Sequence, residues 1–170
     1  SSYVTDNCTG VGVGVNYVWL VETCGTGTPT SIDITGTDCD VSSPATVTGL
    51  PGVIGTAPGD YTLESVTINI DHVWDGDLDI SLISPSGTTL DLSSDNGGGG
   101  DNYTDTVFMD GNPSITTGAP PFTGNFQAEG GAMNTAFAGE NAIGVWTLRV
   151  FDDFCGLDGG SFNSYCIDMT

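Results

Sequence analysis

Aspartates crowd three short stretches of this 170-residue sequence, at 75–79, 95–105 and 152–158. Their carboxylates are hard oxygen ligands, and roughly six to eight such oxygens on flexible loops are what Ca²⁺ requires. We therefore predict a calcium site in these loops. Its candidate ligands are Asp75, Asp77, Asp95, Asn96, Asp101, Asp105, Asp152 and Asp153.

The alternate placement of Asp75, Asp77 and Asp79 is similar to the first ligands of an EF-hand loop. Gly76 takes a spacer position, however, and no glutamate follows at the distance that closes such a loop. We therefore exclude an EF-hand. Each aspartate can instead stabilise the turn in which it lies, because an Asp side chain accepts hydrogen bonds from nearby backbone N–H groups. Each of these aspartates therefore has two possible roles, as an ion ligand or as a turn residue.

Catalysis is the other chemistry to test, and the sequence holds one histidine, His72. A serine protease needs a histidine base beside its nucleophile, and the G-x-S-x-G motif of one large hydrolase class is absent. A glycosidase needs only a pair of carboxylates, and this sequence contains many acidic residues, but no motif identifies one pair as catalytic. We predict that the chain is not an enzyme and that His72 has a structural role.

The charge balance is strongly acidic. Asp and Glu total 22 against one basic residue, Arg149, which gives a net charge of -21. Such a chain is repelled by nucleic-acid phosphates and by anionic lipid surfaces, so we expect no nucleic-acid partner and no membrane insertion. Divalent cations are the natural partners of this surface, and a plain solvated acidic surface is the alternative.

Five cysteines in a small domain are typical of an oxidising setting, so we predict a secreted, extracellular or cell-surface protein. Cys8 and Cys24 bracket a strand-like run, and Cys155 and Cys166 bracket a turn, which favours two local disulfides. Cys39 is then left as a buried thiol or an intermolecular link. Other connectivities stay open, because sequence spacing does not determine disulfide pairing.

The elements that position these side chains are predicted to be β-strands. Apolar and polar residues alternate with the period of a strand that buries one face, and many of the 26 glycines fall between these runs. The predicted strands lie at 66–70, 78–82, 88–92, 106–109, 145–151 and 162–169. Short strands joined by frequent turns predict an all-β fold, a jelly-roll-like β-sandwich.

The order of the first three of these strands predicts where the aspartates meet. If the strands form an up-down-up meander, the turns at 73–77 and 93–105 lie at the same end of the sheet. Aspartates from both turns then converge, and backbone carbonyls of the glycine run complete the cage. Asp152, Asp153 and Asp158 form a second cluster, which joins this site or makes another.

Residues 1–44 are predicted to be an N-terminal strand extension, and residues 45–170 the sandwich itself. Valines alternate along 11–23, which predicts a long strand with one apolar face, while Gly12 and Gly14 leave its other face bare. Such a strand can pair within its own sheet. It can also add to the sheet of a second copy and so build a surface fibre.

Four motifs together resemble one family. H-V-W-D-G-D-L-D-I-S-L-I-S-P-S-G-T at 72–88 resembles its His, Gly-Asp-Leu turn and Ser-Pro-x-Gly-Thr turn. F-x-G-E at 137–140, G-x-W-T-L-x-V-x-D at 144–152 and D-x-G-x-F at 158–162 resemble its closing motifs, in order. From about residue 45 to the end, the sequence therefore resembles the P domain, or Homo B domain, of proprotein convertases and subtilisin-like proteases.

The resemblance implies a jelly-roll-like β-sandwich that is often calcium-binding. In convertases and many bacterial subtilases such a domain follows the protease domain and supports its folding. The family context also implies that His72 is structural within the strand-turn motif. No protease domain accompanies the resemblance in this sequence.

Three functions fit these observations. The first is a non-catalytic, calcium-stabilised extracellular structural or interaction module, which self-associates into a fibre through its N-terminal strand or contacts neighbouring domains of a larger surface protein. The alternative is the C-terminal companion domain of a secreted subtilisin-like serine protease. Carbohydrate binding would use exposed aromatics such as Trp19, Trp74 or Tyr103, although we predict Trp74 and Trp146 to be core residues.

Overall fold

The computed structural model describes residues 21–25, 30–32 and 39–170. In this part of the chain ten strands form two sheets around one apolar core, with a four-residue α-helix and two short 3-10 turns. The predicted all-β sandwich is confirmed. No helix among these residues is long and apolar enough to cross a membrane. The elements are β1 Val21–Cys24, β2 Thr30–Ile32, β3 Asp40–Val47, β4 Leu63–His72, β5 Leu78–Ile83, β6 Thr89–Ser94, β7 Tyr103–Phe108, β8 Gly124–Phe126, α1 Met133–Ala136, β9 Gly144–Asp152 and β10 Gly160–Met169.

The two sheets divide strands that are neighbours in the sequence. The larger sheet has the order β1-β10-β4-β7-β8, with β2 also pairing on β10, and the smaller sheet has the order β3-β9-β5-β6. Because β4 and β5 belong to different sheets, the predicted up-down-up meander is wrong. Both strands bury alternate apolar side chains in the same core, and they do so face to face across the sandwich rather than side by side.

Aromatic side chains fill much of the core. Trp146 of β9 is fully buried, its ring packs edge-on against Phe137 with 5.0 Å between centroids, and its Nε1 donates to the Ala142 carbonyl at 2.9 Å. The buried Tyr165 hydroxyl donates to the Trp146 carbonyl at 2.9 Å. The prediction of a core position is thus confirmed for Trp146. It is wrong for Trp74, whose side chain is 50% exposed because it lies on a turn outside the sheets.

The described parts of the predicted N-terminal extension are strands of the sandwich itself. β1 and β2 pair antiparallel with β10, and β3 pairs with β9 along its whole length. The boundary predicted at residue 44 therefore falls inside β3, whose side chains alternate between exposed and buried from Asp40 to Val47. The valine strand predicted at 11–23 enters the described residues only at β1. Its remainder, with Trp19 and the hypothetical fibre contact, lies outside them.

The disulfides join distant parts of the chain. Cys24 is bonded to Cys166, which lies opposite it on β10, and Cys39 is bonded to Cys155 beyond the end of β9. The prediction of a local Cys155–Cys166 disulfide is therefore wrong, and so is the prediction of an unpaired Cys39. The predicted Cys8–Cys24 disulfide is also wrong, because Cys24 is bonded to Cys166; Cys8 lies outside the described residues. Sheet pairing decides the connectivity, because it places β1 beside β10 across 142 residues of sequence.

Candidate functional site

One end of the sandwich collects most of the predicted ligands. β4 ends there at His72, opposite Gly160 of β10, and β5 begins there at Leu78, opposite Asp152 of β9. The turn before β5, the loop after β6 and the loop between β9 and β10 therefore meet at this end, which we call the acidic end. Its aspartates are Asp75, Asp77, Asp95, Asp101, Asp152, Asp153 and Asp158.

Main-chain hydrogen bonds fasten the turn before β5 to the glycine loop at 97–100. The Asp75 N–H donates to the Gly100 carbonyl and the Gly76 N–H to the Gly98 carbonyl, both at 2.9 Å. A Cβ atom on Gly76 would lie 2.8 Å from the Gly98 Cα, so the close approach requires glycine. Two of the carbonyls that were predicted to complete an ion cage therefore accept hydrogen bonds from the facing turn.

Asp75 is the buried acid of this turn. Its Oδ1 accepts a hydrogen bond from the Asn102 N–H at 2.9 Å, and its Oδ2 is buried without a partner among the described residues. Burial raises the pKa of Asp75 to about 7, the Asn102 N–H opposes that rise, and the charge of Asp101 adds to it. Burial of this carboxyl therefore disfavours its charged form, which is the form that binds calcium.

His72, Asp152 and Asp158 form a compact group, which we call the histidine cluster. One donor atom from each residue lies within 4.8 Å of the other two, and His72 and Asp152 are both buried. His72 Nε2 lies 3.5 Å from Asp152 Oδ2. Burial raises the pKa of Asp152, while the Phe154 N–H and His72 oppose the rise.

Asp77 and Asp153 lie next to the histidine cluster and are more exposed. The Asp153 N–H donates to the Asp77 carbonyl at 2.9 Å, which holds the loop after β9 on the turn before β5. Burial raises the pKa of Asp77, and the negative charges of Asp158 and Asp153 raise it further. These carboxylates therefore repel one another, and a bound cation would relieve the repulsion.

A further acidic group surrounds the start of the glycine loop. Burial raises the pKa of Asp91 to about 6, and the charges of Glu129 and Asp79 add to the rise. Burial also raises the pKa of Asp95, with a further contribution from Asp79. Asn96, a predicted ligand, donates from Nδ2 to Glu129 Oε2 at 2.6 Å. Asp91 and Glu129 were not predicted as ligands, because both lie outside the aspartate-rich turns of the sequence.

Not every predicted ligand lies near these groups. Asp105 is exposed on β7, where its N–H donates to Asn69 Oδ1 of β4 at 2.9 Å. Asp101 is also exposed, but it lies near the Asp75 carboxyl, whose pKa is raised by burial and by the charge of Asp101. His72 was predicted to be structural, and the structure places it among carboxylates. Its acidic partners come from the far end of the sequence, so no local motif marks the cluster.

A shallow groove of about 470 Å³ opens beside the histidine cluster, over Asp77 and Asp158. Its rim is formed by Trp74, Phe154 and Leu157, whose side chains are 50, 56 and 69% exposed. Solvent and small ions therefore have a path to the edge of the cluster. Tyr103, which the carbohydrate hypothesis would need at the surface, is buried.

Comparison with known proteins gives one family match and one curated relative. Residues 63–169 match the family model described as the proprotein convertase P-domain. The chain is 32% identical over 127 residues to leupeptin-inactivating enzyme 1 of Streptomyces exfoliatus, and the alignment covers 75% of this chain and 22% of that protein. The chain thus spans about a fifth of the length of this relative.

Solved structures also match, among them two of an Aeromonas sobria protease. One is a crystal structure of the serine protease of Aeromonas sobria, with 19% identity, a TM-score of 0.41, and coverage of 92% of this chain and 28% of that one. The other is the same protease in complex with its chaperone, with 20% identity, a TM-score of 0.42, and coverage of 89% and 27%.

Proposed function

This chain belongs to the proprotein convertase P-domain family, and from that membership we propose that it is the companion domain of a secreted subtilisin-like serine protease. Its role is to support the folding and stability of a catalytic domain in the same parental protein, and it carries out no catalysis itself. The observation that carries the proposal is the family match over residues 63–169, which runs from the start of β4 to the end of β10.

The Streptomyces relative supports this role. That protein is named as an enzyme, and the alignment with this chain covers 22% of its length. Most of the relative therefore lies outside the aligned part, which leaves room for a catalytic domain. We place the proteolytic activity in such a neighbouring domain and the stabilising role in the sandwich.

The internal construction of the sandwich suits a rigid companion. Both sheets contribute to one buried core, and the Cys24–Cys166 disulfide links the first and last described strands. The Cys39–Cys155 disulfide links the start of β3 to the loop after β9. Disulfides persist in oxidising compartments, which supports the secreted location in this proposal.

Calcium is part of the same proposal, as a structural ion of the acidic end. Asp77, Asp95 and Asp153 are partly or fully exposed and offer oxygen donors, the kind of ligand that Ca²⁺ takes, with water completing its shell. The charge of Asp153 contributes to the raised pKa values of both Asp77 and Asp95. A divalent cation near these residues would offset that repulsion and hold the loops together.

The test of the companion role uses the parental reading frame. The full protein, a version without residues 21–170, which include every described strand of the sandwich, and a version with Trp146→Ala are expressed and refolded in parallel. Because Trp146 is fully buried, its removal disrupts the domain core without shortening the chain. Both altered proteins should give less active protease and faster thermal inactivation than the full protein. Equal yield and equal inactivation rates, or a reading frame without a catalytic domain, would overturn the proposal.

A further inference from the structure

We propose that His72, Asp152 and Asp158 bind a divalent transition metal of the zinc class. The site joins three elements: the end of β4, the end of β9 and the loop that precedes β10. It is separate from the exposed aspartates to which we assign calcium, and it does not depend on the companion role.

Three buried side-chain atoms of the histidine cluster have no hydrogen-bond partner in the described part of the chain, which is the first observation that supports a bound metal. His72 Nε2, Asp152 Oδ2 and Asp158 Oδ1 are all buried and lack a hydrogen-bond partner among the described residues. Buried polar atoms in folded proteins nearly always have a partner. Donor atoms of these three side chains face one another within 4.8 Å, so one ion bound between them would satisfy the cluster.

The distance between two of these atoms suits a shared ion. His72 Nε2 and Asp152 Oδ2 are 3.5 Å apart, which is longer than the roughly 2.9 Å of a good N–H···O hydrogen bond. Zinc ligands lie about 2.0–2.2 Å from the ion in a tetrahedral arrangement, so neighbouring ligand atoms are about 3.4 Å apart. The observed separation therefore matches two ligands of one metal better than a direct hydrogen bond.

The outer contacts of the cluster orient both ligands. His72 Nδ1 lies 3.0 Å from the Trp74 carbonyl oxygen, a shorter contact than the 3.3 Å to the Trp74 N–H. Donation from Nδ1 to this carbonyl leaves the lone pair of Nε2 directed at the carboxylates, as is usual for metal-bound histidines. Asp152 Oδ1 accepts from the Phe154 N–H at 3.0 Å, which leaves Oδ2 for the ion.

The donor set selects the kind of metal. An imidazole nitrogen with two carboxylates suits zinc and its neighbours in the first transition row, whereas calcium takes oxygen ligands. Three protein ligands leave a further position for water. The groove beside Asp77 and Asp158 gives the metal a path from solvent.

A metal at this position should stabilise the folded state, because it binds a site that the unfolded chain lacks. We expect saturating Zn²⁺ to raise the melting temperature of the metal-free protein by at least about 5 °C. Any rise in melting temperature that calcium causes should not depend on His72 or Asp158, because calcium prefers a shell of oxygen ligands.

The experiment uses the 170-residue chain after treatment with a chelator and dialysis. Zn²⁺ is titrated by calorimetry, and Co²⁺ is used as a spectroscopic probe because its visible absorption reports low-coordinate nitrogen and oxygen ligation. We expect one Zn²⁺ per chain. Asp158→Asn should weaken Zn²⁺ binding at least about tenfold and reduce the Co²⁺ bands. Asp105→Asn, which changes an exposed aspartate on β7, should leave both unchanged.

His72→Gln tests the nitrogen ligand and should also weaken Zn²⁺ binding. If His72→Gln does not fold, Asp158→Asn alone tests the site, because Asp158 lies in a loop and its replacement should leave the fold intact. The proposal is overturned if the folded metal-free chain binds no Zn²⁺, or if Asp158→Asn binds it as tightly as the parent. The first outcome would leave His72 and Asp152 as a simple ion pair. Neither outcome affects the companion role, because that role is measured by protease yield.

Discussion

Asp75 Oδ1 accepts the backbone N–H of Asn102 at 2.9 Å, from a side chain with no exposed surface. This bond ties the turn before β5 to the residue that precedes β7, and so closes the glycine loop between them. Burial raises the pKa of the same carboxyl to about 7. The closure of the acidic end therefore depends on a group that changes its charge near neutral pH.

Asp75→Asn should stabilise the domain above neutral pH in the absence of divalent ions. The pKa of Asp75 is raised from an ordinary value of 3.8 to about 7 in the folded state, so its stabilising contribution is complete below about pH 4 and is lost as the pH rises towards 7. An amide cannot ionise and avoids this loss. The raised pKa corresponds to at most about 4 kcal/mol; solvent screening reduces this energy, and we expect a gain of about 1–2 kcal/mol at pH 8 in urea unfolding.

The matched control for this prediction is Asp101→Asn, because Asp101 is exposed and lies near the same carboxyl. Its effect should stay within about 0.5 kcal/mol. An Asp75→Asn variant that is less stable than the parent at pH 8 would contradict the assigned protonation.

Asp91→Asn should also stabilise the domain, in a lower pH range. The pKa of Asp91 is raised from 3.8 to about 6 by burial and by the charges of Glu129 and Asp79, so stability is lost as the pH rises through this interval. The side chain is only partly buried, and solvent screening limits the expected gain at pH 7 to about 1 kcal/mol. Added NaCl should narrow the difference between parent and variant. A difference that salt does not change would argue against charge repulsion as its cause.

Calcium should raise the melting temperature of the chelator-treated domain. We expect Asp77→Asn and Asp153→Asn to reduce this rise, because both remove an oxygen charge from the proposed ion site. Asp105→Asn is the control, since the structure places this residue on β7 next to Asn69, away from the site. A rise of equal size in all three variants would rule out the assignment.

Peptide mapping without reduction should detect the disulfides Cys24–Cys166 and Cys39–Cys155. A protease that cleaves after acidic residues is needed, because the chain has one basic residue. The double variant Cys24→Ser, Cys166→Ser should lose about 2–5 kcal/mol of stability, since the bond closes a very long loop. Detection of a Cys155–Cys166 peptide would instead support the local pairing expected from the sequence.

The strands of this fold could be predicted from the sequence because alternation of side chains is a local property. The predictions at 66–70, 78–82 and 145–151 lie inside β4, β5 and β9. Alternation does not tell which strand lies beside which. β4 and β5 therefore looked like neighbours in a meander, and the structure places them in opposite sheets.

The sequence alone determined the family, the all-β class and the presence of acidic turns, since each depends on residue types at short spacing. Tertiary structure decided which acids meet: it brings Asp152 and Asp158 to His72, and places Asp105 away from them. It also decided the cysteine pairing. The physical reason is that these contacts follow from strand pairing across long sequence distances, and that pairing is selected by burial of the shared core rather than by any local motif.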